Sequence, residues 1–340
     1  MRGALIGCGF FARNHLAAWR GLGVDMVLCD RVRERAEALG AEFGAAALWT
    51  DAAAMLAGER LDFVDIATTV ESHRALVEQA AARGLPTICQ KPFALDLDEG
   101  RAMVAAAARA GVPLLVHENF RWQTPMLAVA DALTAGAVGR PHFGRISFRH
   151  GFDIYANQPY LATEPRLALV DVGVHVLDLA RFFLGDVTRL YARTQRLNPK
   201  VAGEDAATLV LDHAGGAVST VEISFFSRLD PDPFPQTLVR IEGDRGTVEL
   251  GQDYRLSVTS AGRTAVRSVE PAVPPWGARP WHAIQDSVVN IERHFLDCLR
   301  TGAEPRPSGA DNLKTLELVF AAYDSAARGE AVAFPREAGR

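Results

Sequence analysis

The stretch ALIGCGFFA (residues 4–12) decides how the first third of the chain folds. A short apolar run predicts a strand, and the pattern Gly7-x-Gly9-x-x-Ala12 follows it directly and opens a predicted helix. Gly7 permits a tight turn, Gly9 lets a phosphate approach the backbone, and the small Ala12 allows the helix to pack on the sheet. Because free N–H groups at a helix N-terminus favour anions, the stretch predicts a dinucleotide-binding turn. A purely structural glycine turn is the alternative.

An acidic residue at the end of the next predicted strand supports this interpretation. Asp30 lies 21 residues beyond Gly9, close to the ~20-residue spacing of a dinucleotide-binding fold. Its carboxylate would accept the ribose hydroxyls of NAD and repel the 2′-phosphate of NADP, whereas Arg31 and Arg33 would attract that phosphate. We therefore predict NAD as the cofactor, with NADP as the less favoured alternative.

Strand-like and helical segments alternate through the first third, which predicts a parallel sheet covered on both faces. The predicted strands are 4–6, 25–29, 63–67, 87–89 and 113–116, and the predicted helices are about 11–20, 32–43, 73–83 and 97–110. After about residue 118, period-two segments separated by turns predict an open, largely antiparallel sheet. The predicted fold is α/β, with a Rossmann dinucleotide-binding domain at 1–118 and a substrate-binding and oligomerisation α/β domain at 119–340.

Composition excludes some partners. The net charge of −5 and the isoelectric point near 6.0 give no electrostatic footprint for nucleic acid, and no apolar stretch reaches the ~18 residues of a membrane span. The four cysteines form no CxxC pair, which argues against structural zinc, although their spacing leaves a disulfide open. Buried thiols and the absence of a recognisable targeting signal lead us to expect a cytoplasmic protein.

Lys91, in the stretch Gln90-Lys91-Pro92, stands where a buried strand should end. In a parallel sheet of this kind, ligands bind at the carboxyl ends of the strands. A lysine there, partly desolvated and near a positively charged nicotinamide, would lose proton affinity and exchange a proton with a substrate hydroxyl. A solvated lysine at a strand–loop junction is the alternative.

The stretch DVGVHVLD (residues 171–178) predicts a polar helix face. If a helix opens here, Asp171, His175 and Asp178 fall at i, i+4 and i+7 on one side, separate from an apolar stripe. Histidine beside carboxylates suits proton transfer near neutral pH. A capped helix with a hydrogen-bonded histidine is one alternative. A metal site is another, and we expect none because no second His or Cys cluster supports it.

Together, and in this order, these motifs resemble the glucose–fructose oxidoreductase/inositol dehydrogenase/MocA family. The resemblance covers essentially the whole chain, and Ala67-Thr-Thr and Asn119-Phe-Arg121-Trp122 also contribute to it. It implies a nucleotide-binding domain followed by an α/β domain with an open sheet, and NAD or NADP as hydride acceptor. It also implies that the lysine and histidine of the two motifs serve catalysis.

Carried onto this sequence, the resemblance makes Lys91 and His175 the catalytic residues and Asp171 a substrate-holding residue. Tyr160 and Arg166 are further substrate candidates from a polar loop, for which a solvated loop is an equal alternative. The predicted cofactor-binding residues are Gly7, Gly9, Phe10, Phe11, Asp30, Thr68, Thr69, His73, Gln90, Lys91 and Asn119, with Asn119 also near substrate. Arg121 and Trp122 are weaker candidates.

One departure concerns Gln90, where the family usually has glutamate. Losing that anion removes a stabiliser of the charged lysine, so we predict a lower pKa for Lys91 than in relatives with glutamate. The predicted reaction is oxidation of a cyclic sugar at a hydroxyl-bearing carbon, the anomeric one, to a lactone. The alternatives are an inositol or dihydrodiol dehydrogenase, or an inactive nucleotide-sensing regulator. An open sheet should leave a face to cover, which predicts a homodimer or homotetramer.

Overall fold

The computed structural model describes residues 1–335, which form two compact units. The first comprises Met1–Asn119 and Ser287–Leu316, and the second comprises Phe120–Asp286 and the chain from Glu317 onward. Residues 336–340 of the predicted second domain lie outside the described part. The division after residue 118 stays a prediction, and the structure adds that a later segment of the chain returns to the first unit.

A six-stranded parallel sheet organises the first unit. Its strands are β1 (Arg2–Ile6), β2 (Asp25–Cys29), β3 (Ala47–Trp49), β4 (Phe63–Ile66), β5 (Thr87–Gln90) and β6 (Leu114–His117). The helices between them are α1 (Ala12–Gly21), α2 (Arg33–Phe43), α3 (Ala52–Gly58), α4 (His73–Ala82) and α5 (Leu97–Ala110). The strand order is β3-β2-β1-β4-β5-β6, the order of a Rossmann fold, which confirms the predicted fold class.

The order reverses between β1 and β4, at the centre of this sheet. Both strands are fully buried apart from Arg2, because apolar residues face helices on both sides. In sheets of this kind, a crevice opens beyond the carboxyl ends of the strands at the reversal, and ligands bind there. The glycine turn follows β1 and the Ala67-Thr68 segment follows β4, so both lie at this point.

Further along the chain lie the helices α6 (Thr124–Thr134), α7 (Val174–Leu184), α8 (His282–Thr301) and α9 (Gly309–Arg328). The part of α8 that belongs to the first unit brings Phe295 against Phe63 of β4, with ring centroids 5.7 Å apart. Within residues 1–335, no helix combines the length and the apolar character needed to cross a bilayer.

A nine-stranded sheet forms the core of the second unit. Its strands are β7 (Pro141–Arg149), β8 (Val187–Gln195), β9 (Ala206–His213), β10 (Val218–Ser224), β11 (Leu238–Gly243), β12 (Gly246–Leu250), β13 (Arg255–Ser260), β14 (Arg263–Ser268) and β15 (Val332–Ala333). The order is β14-β13-β12-β11-β7-β10-β9-β8-β15, and only the β7–β10 pair is parallel among these described strands. The largely antiparallel sheet is confirmed.

The start of α7 differs from the sequence prediction. The helix was expected to open at Asp171, but α7 begins at Val174, and Leu169–Gly173 forms a π-helical turn before it. Such wider turns are rare and recur at functional sites. Asp171 therefore lies in an irregular turn, whereas His175 lies in the first turn of regular helix.

Candidate active site

The glycine turn after β1 has the geometry that a dinucleotide requires. Gly7 has φ +95°, and a Cβ on it would lie 2.8 Å from the carbonyl oxygen of Ala67. Only glycine tolerates both conditions. A Cβ on Gly9, in contrast, would meet no atom within 4 Å, so open space adjoins the backbone. The turn fits a pyrophosphate at the N-terminus of α1.

Asp30 is fixed at the end of β2 by two backbone donors. The N–H of Cys8 donates to Oδ2 at 2.7 Å, and the N–H of Val32 donates to Oδ1 at 2.8 Å. The half-buried carboxylate is thereby held beside the glycine turn, where a ribose would be recognised. Burial first, and the Asp30 charge second, raise the pKa of the Cys8 thiol to about 12 and that of Cys29 to about 11.

His73 is buried between two backbone carbonyl groups. Its Nδ1 lies 3.2 Å from the carbonyl oxygen of Phe93, and its Nε2 lies 3.2 Å from that of Thr68. Burial lowers the pKa of His73, so the neutral ring donates to one carbonyl at a time. The Ser72 hydroxyl shares its proton between two acceptors, the Thr68 hydroxyl oxygen at 2.7 Å and the Thr69 carbonyl oxygen at 2.9 Å. Direct cofactor contacts of these residues stay predictions.

Gln90 and Lys91 are joined at the end of β5. The backbone N–H of Lys91 donates to Gln90 Oε1 at 2.7 Å, while Gln90 Nε2 donates to His15 Nε2 at 2.9 Å. Gln90 is buried and Lys91 is half-buried. Both polar ends of the Gln90 amide therefore bond within the first unit, and its predicted cofactor contact stays a prediction.

A buried polar cluster beneath Gln90 escaped the sequence analysis. His15, Asp65, His117 and Glu292 are all 0% exposed. His15 Nδ1 donates to Asp65 Oδ2 at 2.8 Å and lies 3.7 Å from Glu292 Oε1. The visible signal was Asp65, a charged residue inside an apolar strand, and nothing in the sequence pairs it with a helix residue 50 positions earlier.

This cluster includes a possible set of metal ligands, because one ligand atom each from His15, His117 and Glu292 lies within 4.8 Å of the others. The two imidazole rings, however, stack at 4.1 Å with planes 30° apart. Ring lone pairs lie in the ring plane, so stacked rings do not aim them at one ion. Both nitrogens of His15 also have hydrogen-bond partners. A hydrogen-bonded cluster explains the arrangement better than a metal centre.

Three other predicted cofactor-binding residues lie in the first unit. Phe10 is 59% exposed at the glycine turn, while the Phe11 ring meets His15 edge-on at 5.5 Å. Asn119 is buried and donates from Nδ2 to the Ser287 hydroxyl at 2.6 Å. The ligand contacts predicted for Phe10, Phe11 and Asn119 stay predictions.

In the second unit, His175 is 3% exposed and its ring stacks flat on Phe120, with centroids 3.9 Å apart and planes 4° apart. The stack fixes the plane in which the ring nitrogens point. Asp171 is half-buried in the π-helical turn before it. Asp178, predicted on the same face, instead accepts a hydrogen bond from Arg121 Nε at 2.7 Å inside the unit.

The two loop candidates have separate surroundings. Tyr160 is 57% exposed, and its hydroxyl donates to Gln158 at 3.0 Å. The Arg166 guanidinium lies 5.0 Å from the Tyr323 ring centroid and lines a cavity of about 430 Å³ that also includes Glu204. Neither contact involves His175 or Asp171, so their substrate roles stay predictions.

Comparison with known families agrees with this geometry. Residues 1–118 match the model of an oxidoreductase family with an NAD-binding Rossmann fold, and residues 126–249 match the GFO/IDH/MocA C-terminal domain. The chain belongs to the GFO/IDH/MocA family of oxidoreductases, and its first unit carries an NAD-binding Rossmann domain.

Individual relatives are similar over nearly their whole length. A D-apiose dehydrogenase of Paraburkholderia graminis is 56% identical, with 97% of this chain and 89% of the relative aligned. A D-apiose dehydrogenase of Rhizobium rhizogenes is 52% identical, with 98% of this chain and 97% of the relative aligned. The crystal structure of an oxidoreductase from Agrobacterium radiobacter, in complex with NAD⁺, L-tartaric acid and magnesium, has a TM-score of 0.96 at 52% identity, covering 98% of each chain.

Proposed function

We propose that this protein oxidises D-apiose at its anomeric carbon, with NAD as the acceptor, and releases the lactone (apionolactone). The observation that carries the proposal is near-full-length identity of 56% and 52% to two D-apiose dehydrogenases. Fold alone would not select a sugar, since one fold hosts many substrates.

The first unit supports NAD as the cofactor. When bound, NAD supplies the ring that accepts a hydride from the sugar carbon. The turn at Gly7 and Gly9 would hold the pyrophosphate through backbone N–H groups, and Asp30 would accept from the ribose hydroxyls. A carboxylate at that place disfavours the 2′-phosphate of NADP.

The proton chemistry falls to two side chains. His175 accepts the proton of the anomeric hydroxyl as the carbon loses its hydrogen, so the C–O bond becomes the lactone carbonyl. Lys91 donates a hydrogen bond to the same oxygen and relays the proton. Asp171 and Asn119 hold other hydroxyls of the sugar. The flat stack on Phe120 supports a fixed direction for the His175 nitrogens. The convergence of Lys91 and His175 stays a prediction.

The test is a substrate panel with both nicotinamide cofactors. Purified protein with NAD should reduce the cofactor with D-apiose well ahead of xylose or ribose, and the product should be the lactone. Faster turnover of an inositol or a dihydrodiol would replace the sugar assignment. Binding of NADH without turnover of any polyol or sugar would favour a regulatory protein and end the enzyme proposal.

We also propose a homodimer or homotetramer. Apolar side chains support it on one face of the nine-stranded sheet, where Tyr191 and Val210 lie opposite each other in register and are 36% and 42% exposed. Val266 on β14 is 48% exposed. Equilibrium sedimentation should report two or four copies, and a Val210→Asp variant should shift toward monomer. A monomer at all concentrations would contradict the proposal.

The cytoplasm is the proposed location. The four cysteines are free thiols and are all buried, which suits a reducing compartment. Fractionation of the producing cells, with activity in the cytoplasmic fraction, is the measurement, and activity in an exported fraction would contradict it.

A further inference from the structure

A directional chain of hydrogen bonds leads from Lys91 into the interior of the first unit. A backbone N–H can only donate, so the Gln90 atom that faces Lys91 N at 2.7 Å must be the amide oxygen. The other end of the amide is then the NH₂ group, and it faces His15 Nε2 at 2.9 Å. The direction of the chain thus follows from one backbone donor.

The same direction fixes the proton on His15. Since the Gln90 NH₂ group donates, His15 Nε2 must accept and carries no proton. The ring proton therefore lies on Nδ1, which donates to Asp65 Oδ2 at 2.8 Å. Trp19 Nε1 donates to the same oxygen at 2.7 Å. In this chain, His15 is a neutral ring with a single allowed tautomer.

The titratable groups that face His15 and Asp65 from neighbouring elements are buried. They are Cys89 from β5, His117 from β6 and Glu292 from α8, and each of them, like Asp65 on β4, is 0% exposed. Burial, with the Asp65 charge second, raises the pKa of Glu292 well above its usual value. Burial thus disfavours the charged form of Glu292, whereas the Asp65 carboxylate accepts hydrogen bonds from His15 and Trp19.

We propose that His15 is a positioning residue for Lys91, which it holds through Gln90, and that it takes up a second proton whenever residue 90 is a carboxylate. The functional half of this proposal rests on the proposed sugar dehydrogenation. The structural half concerns which ring nitrogen of His15 carries a proton, and it can be tested without any enzymatic activity.

Replacing Gln90 by glutamate would change the contact between residue 90 and His15 Nε2. A carboxylate there would bring an acceptor against His15 Nε2, which is also an acceptor. The contact is restored when one proton is taken up between the two groups, and the imidazole nitrogen is ordinarily the more basic of the two. A proton on Nε2 then cancels the added negative charge. The change Gln90→Glu would therefore add no net charge beneath Lys91. Sequence reasoning alone expects that change to raise the pKa of Lys91, so the two hypotheses differ.

The first experiment reads the ring nitrogens of His15 directly. Long-range ¹H–¹⁵N spectra of the ligand-free protein, assigned with His15→Asn, should show Nδ1 protonated and Nε2 bare from pH 6 to 9. In Gln90→Glu, both nitrogens should be protonated at pH 7. A protonated Nε2 in the wild-type protein, or no proton uptake in Gln90→Glu, would overturn the proposal. This readout needs no substrate, so it remains valid if the sugar panel fails.

The second experiment separates positioning from packing with two amides. Glutamine at position 15 places an oxygen near the site of Nε2 and can accept from Gln90, whereas asparagine reaches only the site of Nδ1. We expect His15→Asn to lower kcat/KM for the sugar by roughly 10–100-fold. His15→Gln should recover most of that loss. Equal losses in the two variants would contradict a positioning role.

The third experiment is a double-variant cycle. Gln90→Glu should leave the pH–rate profile nearly unmoved when His15 is present. It should shift the profile, and lower the melting temperature at pH 7 by roughly 5 °C more, when His15 is Asn and cannot take the proton. The control is His213→Asn in the second unit, a buried histidine with both nitrogens bonded to Gly185 and Ser219. The control should lower the melting temperature and leave the profile unchanged. Equal profile shifts in both His15 backgrounds would overturn the proton-uptake half.

Discussion

Arg121 and Asp178 form a buried ion pair in the second unit. Arg121 Nε donates to one carboxylate oxygen at 2.7 Å and its Nη2 donates to the other, and the two side chains are 9% and 0% exposed. Asp178 lies three residues after His175 on α7. The pair therefore anchors the helical turn that carries the predicted base.

Breaking this pair should be costly. Replacing Arg121 by methionine leaves a buried carboxylate without its cation, and we expect a loss of about 3–5 kcal/mol in unfolding free energy by urea titration. The matched control is Arg300→Ala. The side chains of Arg300 and its partner Asp297 are 59% and 60% exposed, so this change should lower the unfolding free energy by less than about 1 kcal/mol. Similar losses in the two variants would show that burial does not set the strength of the pair.

The two glycines of the turn should fail in different ways. Gly7→Ala introduces strain at positive φ and a clash with Ala67, so it should lower stability by about 1–3 kcal/mol. Gly9→Ala meets open space and should leave the melting temperature nearly unchanged, but it fills the path of the pyrophosphate and should weaken NAD binding roughly tenfold, about 1.4 kcal/mol. Calorimetric titration with NAD and thermal unfolding separate the two effects. Unchanged NAD affinity in Gly9→Ala would refute the phosphate assignment.

Asp30 should set the choice between NAD and NADP. Asp30→Asn keeps an oxygen for the Val32 N–H but removes the charge that repels a 2′-phosphate. The ratio of kcat/KM for NAD over NADP should fall at least about tenfold, roughly 1.4 kcal/mol. Arg31→Ala in the same background should weaken the gained NADP activity. A ratio that stays at the wild-type value would place the selectivity elsewhere.

Lys91 and His175 should each be essential for activity, and the losses caused by replacing them should not be additive. Lys91→Met and His175→Asn should each lower kcat by about 10²–10⁴-fold, since each removes a partner of the reacting proton. If the two side chains act on one hydroxyl, the double variant should be little worse than the poorer single variant. Multiplied losses would mean that the two residues act independently, against their predicted convergence.

Glu292 should make stability depend on pH. Its folded-state pKa lies above the ordinary 4.5, because burial disfavours the charged form. The unfolded chain releases this proton above about pH 4.5 while the folded chain keeps it, so stability falls as the pH rises toward the folded-state value. Glu292→Gln removes this dependence. The variant should melt at a higher temperature than the wild type at pH 8, with the gap closing toward pH 4.5. Glu34→Gln, at an exposed site, is the control, and parallel curves for all three proteins would contradict the expectation.

The fold of the first unit followed from the sequence because its strands are short, apolar and separated by helices. Two elements of this unit, β3 and α3, were not predicted. The strand β3 has three residues, its central Leu48 is 38% exposed, and the alanines before it do not favour a strand. In the second unit β14 was missed for the same reason, since all six of its residues are exposed. Edge strands lack the buried pattern that sequence reasoning uses.

The site divides along a similar line. The positions of Gly7, Asp30 and Lys91 directly after strands could be predicted because a motif fixes each of them, and their roles stay predictions. His15 could not, because its partners Asp65 and Gln90 lie 50 and 75 residues away along the chain. Neither could the hydrogen bonds of Asp178 to Arg121 and of Gln90 to His15, since each partner is distant along the chain.

The return of Ser287–Leu316 to the first unit has a consequence for protein engineering. A gene fragment that stops at residue 118 would omit Phe295, which covers Phe63, and Leu313, which packs closely over Gly100. Such a fragment would expose apolar surface and tend to aggregate when expressed. Exchanging this nucleotide module with that of a relative therefore requires three recombination junctions instead of one.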